Sequence, residues 1–158
     1  MGLDQYLTRK VYLGLNYEHN RENLKETSIK IDGKEYDYKK LKELSFEAAY
    51  WRKCNSIHAF FVEEVQDGED DCKEYYVDRE ILEKLIDYCK KDIEYFNTLK
   101  YEDSEENEDF FTKEKFKYKI YKDINEDKLN LKTQSGFFFG STEYDEYYVN
   151  DLKDTVKE

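Results

Sequence analysis

A chain of 158 residues with a net charge of -12 and 41% charged residues suits a single domain, long enough to bury about two thirds of its unfolded surface. A mean hydropathy of -1.05 would fit disorder, but 16 Tyr and 10 Phe argue against it, because disordered segments are poor in aromatics. The acidic balance argues against direct nucleic-acid binding, which needs clustered Lys and Arg for phosphate contacts.

Tyr and Phe supply the burial that few Val and Leu would otherwise deny, and a buried Tyr asks only for a hydrogen-bond partner for its hydroxyl. The excess of Lys over Arg, the many Asn, Tyr and Ile, and the lack of Pro read as AT-rich coding, pointing to a low-GC bacterium or one of its viruses. Three cysteines, Cys54, Cys72 and Cys89, are an odd number with no C-x-x-C pair, which fits a reduced cytosol. The start, "MGLDQYLTRKVYL", has an acid at Asp4 and no long apolar run, so no signal peptide is expected. Tyr6 stands where a myristoylation site needs Ser or Thr. No stretch approaches the roughly 20 apolar residues of a membrane span. A soluble, cytoplasmic protein without a membrane partner is expected.

Charge is uneven. Residues 1–53 carry 11 Lys and Arg against 9 Asp and Glu, a net of +2, and residues 54–158 carry 15 against 29, a net of -14. Carboxylates concentrate in "EEVQDGEDDCKE" (63–74), "EDSEENED" (102–109) and "TEYDEYYVNDLKDTVKE" (142–158). Such runs are commonly solvated loops; as function, they make a negative surface that attracts basic proteins.

Along the chain, residues 3–13 alternate loosely as a strand. In "SIKIDGKEYDY" (28–38), Asp32-Gly33 between alternating apolar residues predicts a two-residue type I′ hairpin. Its register pairs Ile31 with Lys34, Lys30 with Glu35 and Ile29 with Tyr36. Residues 45–65 are predicted to be a helix N-capped by Ser45, with Phe46, Tyr50, Ile57, Phe60 and Phe61 as its core stripe. Trp51, Asn55, His58 and Val62 make a second stripe, and Arg52, Ser56 and Glu63 the polar face. "KEYYV" (73–77) reads as a short strand. A second helix runs from its N-cap Asp78 to Leu99, and Asp92 falls inside its apolar arc. A carboxylate there needs a partner, for which His58, Arg52 or a Tyr hydroxyl are candidates.

Residues 101–110 read as a flexible acidic loop and "KEKFKYKIYK" (113–122) as a half-buried antiparallel strand with a lysine face. A strand is expected around Phe137–Phe139 and a short helix near 146–157. The predicted architecture is α+β: one domain over 1–158, an antiparallel sheet packed by two long helices.

Few residues carry chemistry by pattern. "GFFFGST" (136–142) lacks the Lys of a phosphate loop and has aromatics where that loop must turn. "DGEDDCKE" lacks calcium-loop spacing. With only His19 and His58, no His-rich metal site forms, and no cofactor is expected. Cys54 and His58 are four apart on one helix, a spacing that favours packing over a nucleophile pair. The remaining set is Trp51, Arg52, Asn55 and His58, with Asp92. As structure, these satisfy a helix boundary. As function, they give a small pocket with a stacking ring, a guanidinium for an anion and a titratable imidazole.

"MGLDQYL", "YWRKCNSIHAFFVEEVQDGEDDC", "EYYVDREILEKLIDYC" and "TQSGFFFGSTEYDEYY" resemble a family of small bacteriophage and prophage proteins of unassigned activity, over much of the chain. The resemblance implies a viral origin and an accessory role in infected cells, and transfers no catalytic residue. Cys54 stands where a small residue such as Ala is expected in relatives, which argues against a nucleophile there.

Three function classes follow. The first, favoured by the charge layout, is an acidic viral factor that occupies the basic surface of a host defence or nucleic-acid-handling protein by charge mimicry. Its partner-binding residues would be Glu102, Asp103, Glu105, Glu106, Glu108 and Asp109. The second is a module that sequesters a small ligand in a Trp51/Arg52/Asn55/His58 pocket. The third, with least in its favour, is a small enzyme using His58.

Overall fold

The computed structural model describes residues 3–14, 16–24, 28–37, 41–136 and 139–158. It mixes helices with short strands in the order β1 (Asp4–Tyr12), α1 (Glu18–Leu24), β2 (Ile29–Ile31), β3 (Lys34–Tyr36), β4 (Glu43–Arg52), α2 (Asn55–Val65), α3 (Arg79–Thr98), β5 (Tyr101–Asp103), β6 (Asn107–Glu108), β7 (Lys115–Phe116), β8 (Lys119–Tyr121) and α4 (Glu146–Lys157). The class is α+β. Among the described residues the strands form four two-stranded sheets, β1–β4, β2–β3, β5–β8 and β6–β7. The chain divides into two units, residues 6–50 and residues 51–158 with residues 1–5.

In the first unit the β2–β3 hairpin has the register that the Asp-Gly pair predicts, Ile29 opposite Tyr36, Lys30 opposite Glu35 and Ile31 opposite Lys34. Asp32 and Gly33 take φ of 51° and 74°, the two consecutive left-handed residues that a type I′ turn requires. Its apolar residues are not core, since Ile31 is 54% and Tyr36 44% exposed. β1 occupies the strand expected over 3–13. Tyr6 stacks on Tyr50 with ring centroids 4.9 Å apart, and the Leu13 N–H donates to the Lys42 carbonyl at 2.9 Å.

Residues 45–65, predicted as one helix, divide. Residues 43–52 are strand β4, the chain turns left-handed at Lys53 (φ 58°), and α2 starts only at Asn55. The prediction of one sheet under two long helices is corrected with it: α3, at 20 residues, is long, and α2 has 11. Phe46, Tyr50 and Trp51 bring aromatic strand preference, and pairing with the distant β1 decides the outcome, which no local window contains. Phe46 and Tyr50 are therefore 50% and 43% exposed, whereas Ile57, Phe60 and Phe61 of α2 are buried as expected.

The second unit is built on α3. Asp78 caps it, accepting from the Ile81 N–H at 2.9 Å as the sequence predicts. Leu85, Cys89, Asp92 and Phe96 follow the i, i+4, i+7, i+11 spacing of one face and are buried. This face meets α4, where Tyr148, Val149, Leu152 and Thr155 are buried. Asp145 caps α4 through the N–H groups of Tyr147 and Tyr148.

Three further expectations are corrected. Residues 73–77 belong to no strand. The single strand over 113–122 is broken, because Ser104 interposes: its hydroxyl accepts from the Tyr118 N–H at 3.1 Å and its own N–H donates to the Tyr118 carbonyl at 2.8 Å. The acidic stretch 101–110, read as a loop, contains β5 and β6. Of the strand expected around Phe137–Phe139, Phe137 and Phe138 lie outside the described residues and Phe139 is in no strand. A Cβ on Gly136 would come within 2.5 Å of the Phe139 ring, so that glycine is required by close approach.

Candidate interaction site

The sequence-predicted ligand set does not converge. Trp51 is buried against Phe61, and its indole N–H donates to the Thr155 hydroxyl at 2.9 Å. Arg52 is exposed at the end of β4. Asn55 is a buried clasp on the segment 134–141: its amide donates to the carbonyls of Phe139 (3.2 Å) and Ser141 (2.7 Å), and its oxygen accepts from the Gln134 N–H (3.1 Å). Both its N–H donors and its oxygen are turned toward the protein itself.

His58 is 7% exposed, with Nε2 2.9 Å from the Asp70 carboxylate and its ring edge-on to Phe139. Its Nδ1 is buried without a partner among the described residues. Asp92, 0% exposed, accepts from the Asn130 and Leu131 N–H groups and from the Asn130 side chain. The Tyr148 hydroxyl lies 3.2 Å from the same carboxylate and donates to the Leu131 carbonyl at 2.6 Å. A Tyr hydroxyl was one of the predicted partners. Burial, followed by the charge of Asp92, holds that phenol protonated far above its ordinary range. Asp92 thus pins the 130–131 backbone onto α3.

Two cavities lie in this unit. The smaller, about 80 Å³, is edged by Lys53, Asn55, Ser141, Asp145 and Asp151. Burial raises the Asp151 carboxyl to about 6, against a lowering hydrogen bond from the Cys54 thiol; the carboxylates of Asp154 and Asp145 raise it further. Cys54 itself is pushed up by burial and by Asp151, the opposite of an activated thiolate. The larger, an open groove of about 450 Å³, runs along α2 past Phe60, Tyr88 and Leu131. Of the five predicted ligand residues, Asn55 edges the smaller cavity and none edges the groove. Among the described residues no group of three His, Cys, Asp or Glu is arranged to hold a metal ion.

The carboxylates predicted to meet a partner are largely matched from within. Glu102 pairs with Lys122, Glu106 with Lys115 at 2.7 Å, and Glu108 with Lys113 at 3.5 Å. Asp103 lies opposite Lys119 in the β5–β8 ladder, and Asp109 accepts from the N–H groups of Phe111 and Thr112. The sequence shows only that 102–109 is acidic; the folding back of 113–122 brings the lysines to it.

The acidic loop that follows α2 is different. Residues 63–74 hold seven carboxylates against one lysine, and every residue from 67 to 76 is exposed. The loop is nonetheless tied. Asp70 bridges its two oxygens to His58 and to the Cys72 N–H. Asp71 accepts from Lys73 and the Tyr75 hydroxyl at 2.6 and 2.9 Å, and the Lys73 hydrogen bond is the main cause that lowers the Asp71 carboxyl below its usual range. Asp67 and Cys72 take left-handed φ of 53° and 58°, backbone strain held by those contacts, and Gly68 takes φ 79° as a glycine freely can. The result is a fixed acidic strap with Tyr76 88% exposed at its end. The acidic run is legible in the sequence; its anchorage by His58 is not, because the partners lie in separate elements.

No protein-family model, curated protein or solved structure matches this chain.

Proposed function

We propose that this protein is an acidic accessory factor that docks on a basic protein, and that the strap 66–77 is its main charged surface. The observation that carries the reading is the seven-to-one excess of carboxylates over lysine in 63–74, on a loop held to α2 by the His58–Asp70 contact at 2.9 Å. A tied loop keeps its charges in one place, so a partner meets a formed surface. In the phage setting that the family resemblance implies, the partner is a host protein with a basic face, and the binding modulates or blocks it. The ligand-pocket reading loses its support, since Trp51, Asn55, His58 and Asp92 each bond to a different part of the fold.

The test is capture of partner from bacterial lysate at about 0.1 M and about 1 M salt, where the screening length falls from about 10 Å to about 3 Å. Glu63→Gln/Asp67→Asn/Glu69→Gln should cut capture at low salt several-fold. Glu102→Gln/Glu106→Gln/Glu108→Gln should cut it less, because lysines already match those groups. Capture that survives both the first variant and high salt would overturn the reading.

A further inference from the structure

The β6–β7 hairpin ends in two phenylalanines that stand in water. Phe110 is 78% and Phe111 89% exposed, with their rings edge-to-face at 5.3 Å. Phenylalanine gains most by leaving water, so a paired exposure at a tip calls for a physical reason.

The tip is a built turn. The Asp109 carboxylate accepts from the N–H groups of Phe111 (2.9 Å) and Thr112 (2.7 Å). The Asp109 N–H donates to the Glu114 carbonyl, and the Lys113 N–H donates to the Asp109 carbonyl. Backbone donors, Thr112 first, hold the Asp109 carboxyl below its usual range. Lys113, at φ 61°, sets its ammonium 5.1 Å over the Phe110 ring and 3.5 Å from Glu108. Much of the ordering that an encounter would demand is already in place, and a Phe side chain has few rotamers left to lose.

Charge surrounds this apolar point. Residues 102–114 carry seven carboxylates and one lysine. Lys113, Lys115 and Lys122 pair with Glu108, Glu106 and Glu102, and Lys119 lies opposite Asp103. Close to the tip, residues 105–115 still carry five carboxylates against two lysines, and the rim there stays negative. Such a rim complements an apolar pocket edged by Lys or Arg, and it is repelled by an anionic bilayer and by a second copy of itself.

We propose that Phe110 and Phe111 are the anchor of the docking interface and seat in an apolar, lysine- or arginine-rimmed pocket of the partner protein. This rests on the acidic-docking reading and gives it a point of attachment: carboxylates govern the approach, and the two rings govern how long the complex lasts.

The experiment places a photoreactive benzoyl-phenylalanine at position 110 or 111 of the full chain, with a control at Tyr12, 64% exposed and outside the strap, and irradiates in living bacteria. Attached peptides are mapped by mass spectrometry. The expected result is one protein joined through 110 and 111 and not through 12, at an apolar pocket with a basic rim. Against that purified protein, Phe110→Ser/Phe111→Ser should dissociate at least about ten-fold faster, with the association rate nearly unchanged and the thermal melt intact. No adduct, equal adducts from 12, adducts with the chain itself or adducts with phospholipid each overturn the anchor. An unchanged dissociation rate overturns it too and leaves acidic docking standing. Attachment in an apolar pocket without a basic rim does the reverse: it keeps the anchor and removes the acidic-docking reading.

Discussion

At the scale of single residues, buried polar groups in this fold act as clasps. Asp92 shows this most plainly, a fully buried carboxylate that holds the Asn130 and Leu131 backbone. Asp92→Ala should destabilise by about 3 kcal/mol or more, since it strands several buried donors at once; denaturant unfolding measures it. Asn55→Ala should lower the melting temperature by several degrees, reflecting about 1–3 kcal/mol from the orphaned Gln134 N–H and the Phe139 and Ser141 carbonyls. Asp151 adds a pH dependence. Its folded carboxyl sits near about 6 and its unfolded one near about 3.9, so the folded state binds more protons in between. The Asp151 contribution to stability is present at low pH and is lost as pH rises through that window. Asp151→Asn should therefore gain on the parent chain from about pH 4 to about pH 7, read as the difference between two series of melts. That Asp92 needed a partner was legible from its place in an apolar arc. That the partners would be the 130–131 backbone was not, because they are 38 and 39 residues away.

At the scale of elements, legibility tracks locality. The β2–β3 hairpin and the Asp78-capped α3 are written in adjacent residues, and both appear in the expected places. Gly33→Val should melt this hairpin alone, since the turn needs positive φ at both central residues. Faster amide exchange over 29–36 with little change in global melting is the expected outcome, given how exposed the hairpin is. β4 was missed because its partner strand lies far off in the sequence, and the large apolar residues Phe46, Tyr50 and Ile57 happen to mimic a helical period. The strap after α2 is tied by a contact from α2 itself. His58→Ala should release it, seen as several-fold faster proteolysis between 66 and 77 while α3 stays protected.

At the scale of the whole molecule, the net charge of -12 is not spread as the linear sequence implies. The stretch 102–109, the obvious acidic block, is largely paired by lysines of 113–122, while the seven carboxylates of 63–74 meet Lys73 on Asp71 and Lys84 of α3 on Glu64 and keep a net negative charge. Composition predicted a negative surface; only the strand pairings say where it is strong. Surface ion pairs of this kind contribute about 0–1 kcal/mol each, so Glu102→Gln/Glu106→Gln/Glu108→Gln should change the melt only slightly. Trp51 has one more consequence. It is the only tryptophan among 16 tyrosines, buried on Phe61 with its N–H on Thr155 of α4. Excited selectively, that one indole reports by its emission colour on whether a single helix, α4, is seated against it. Unlabelled protein thus carries its own optical gauge, and a red shift that precedes the loss of far-ultraviolet helix signal would identify α4 as the first piece to leave.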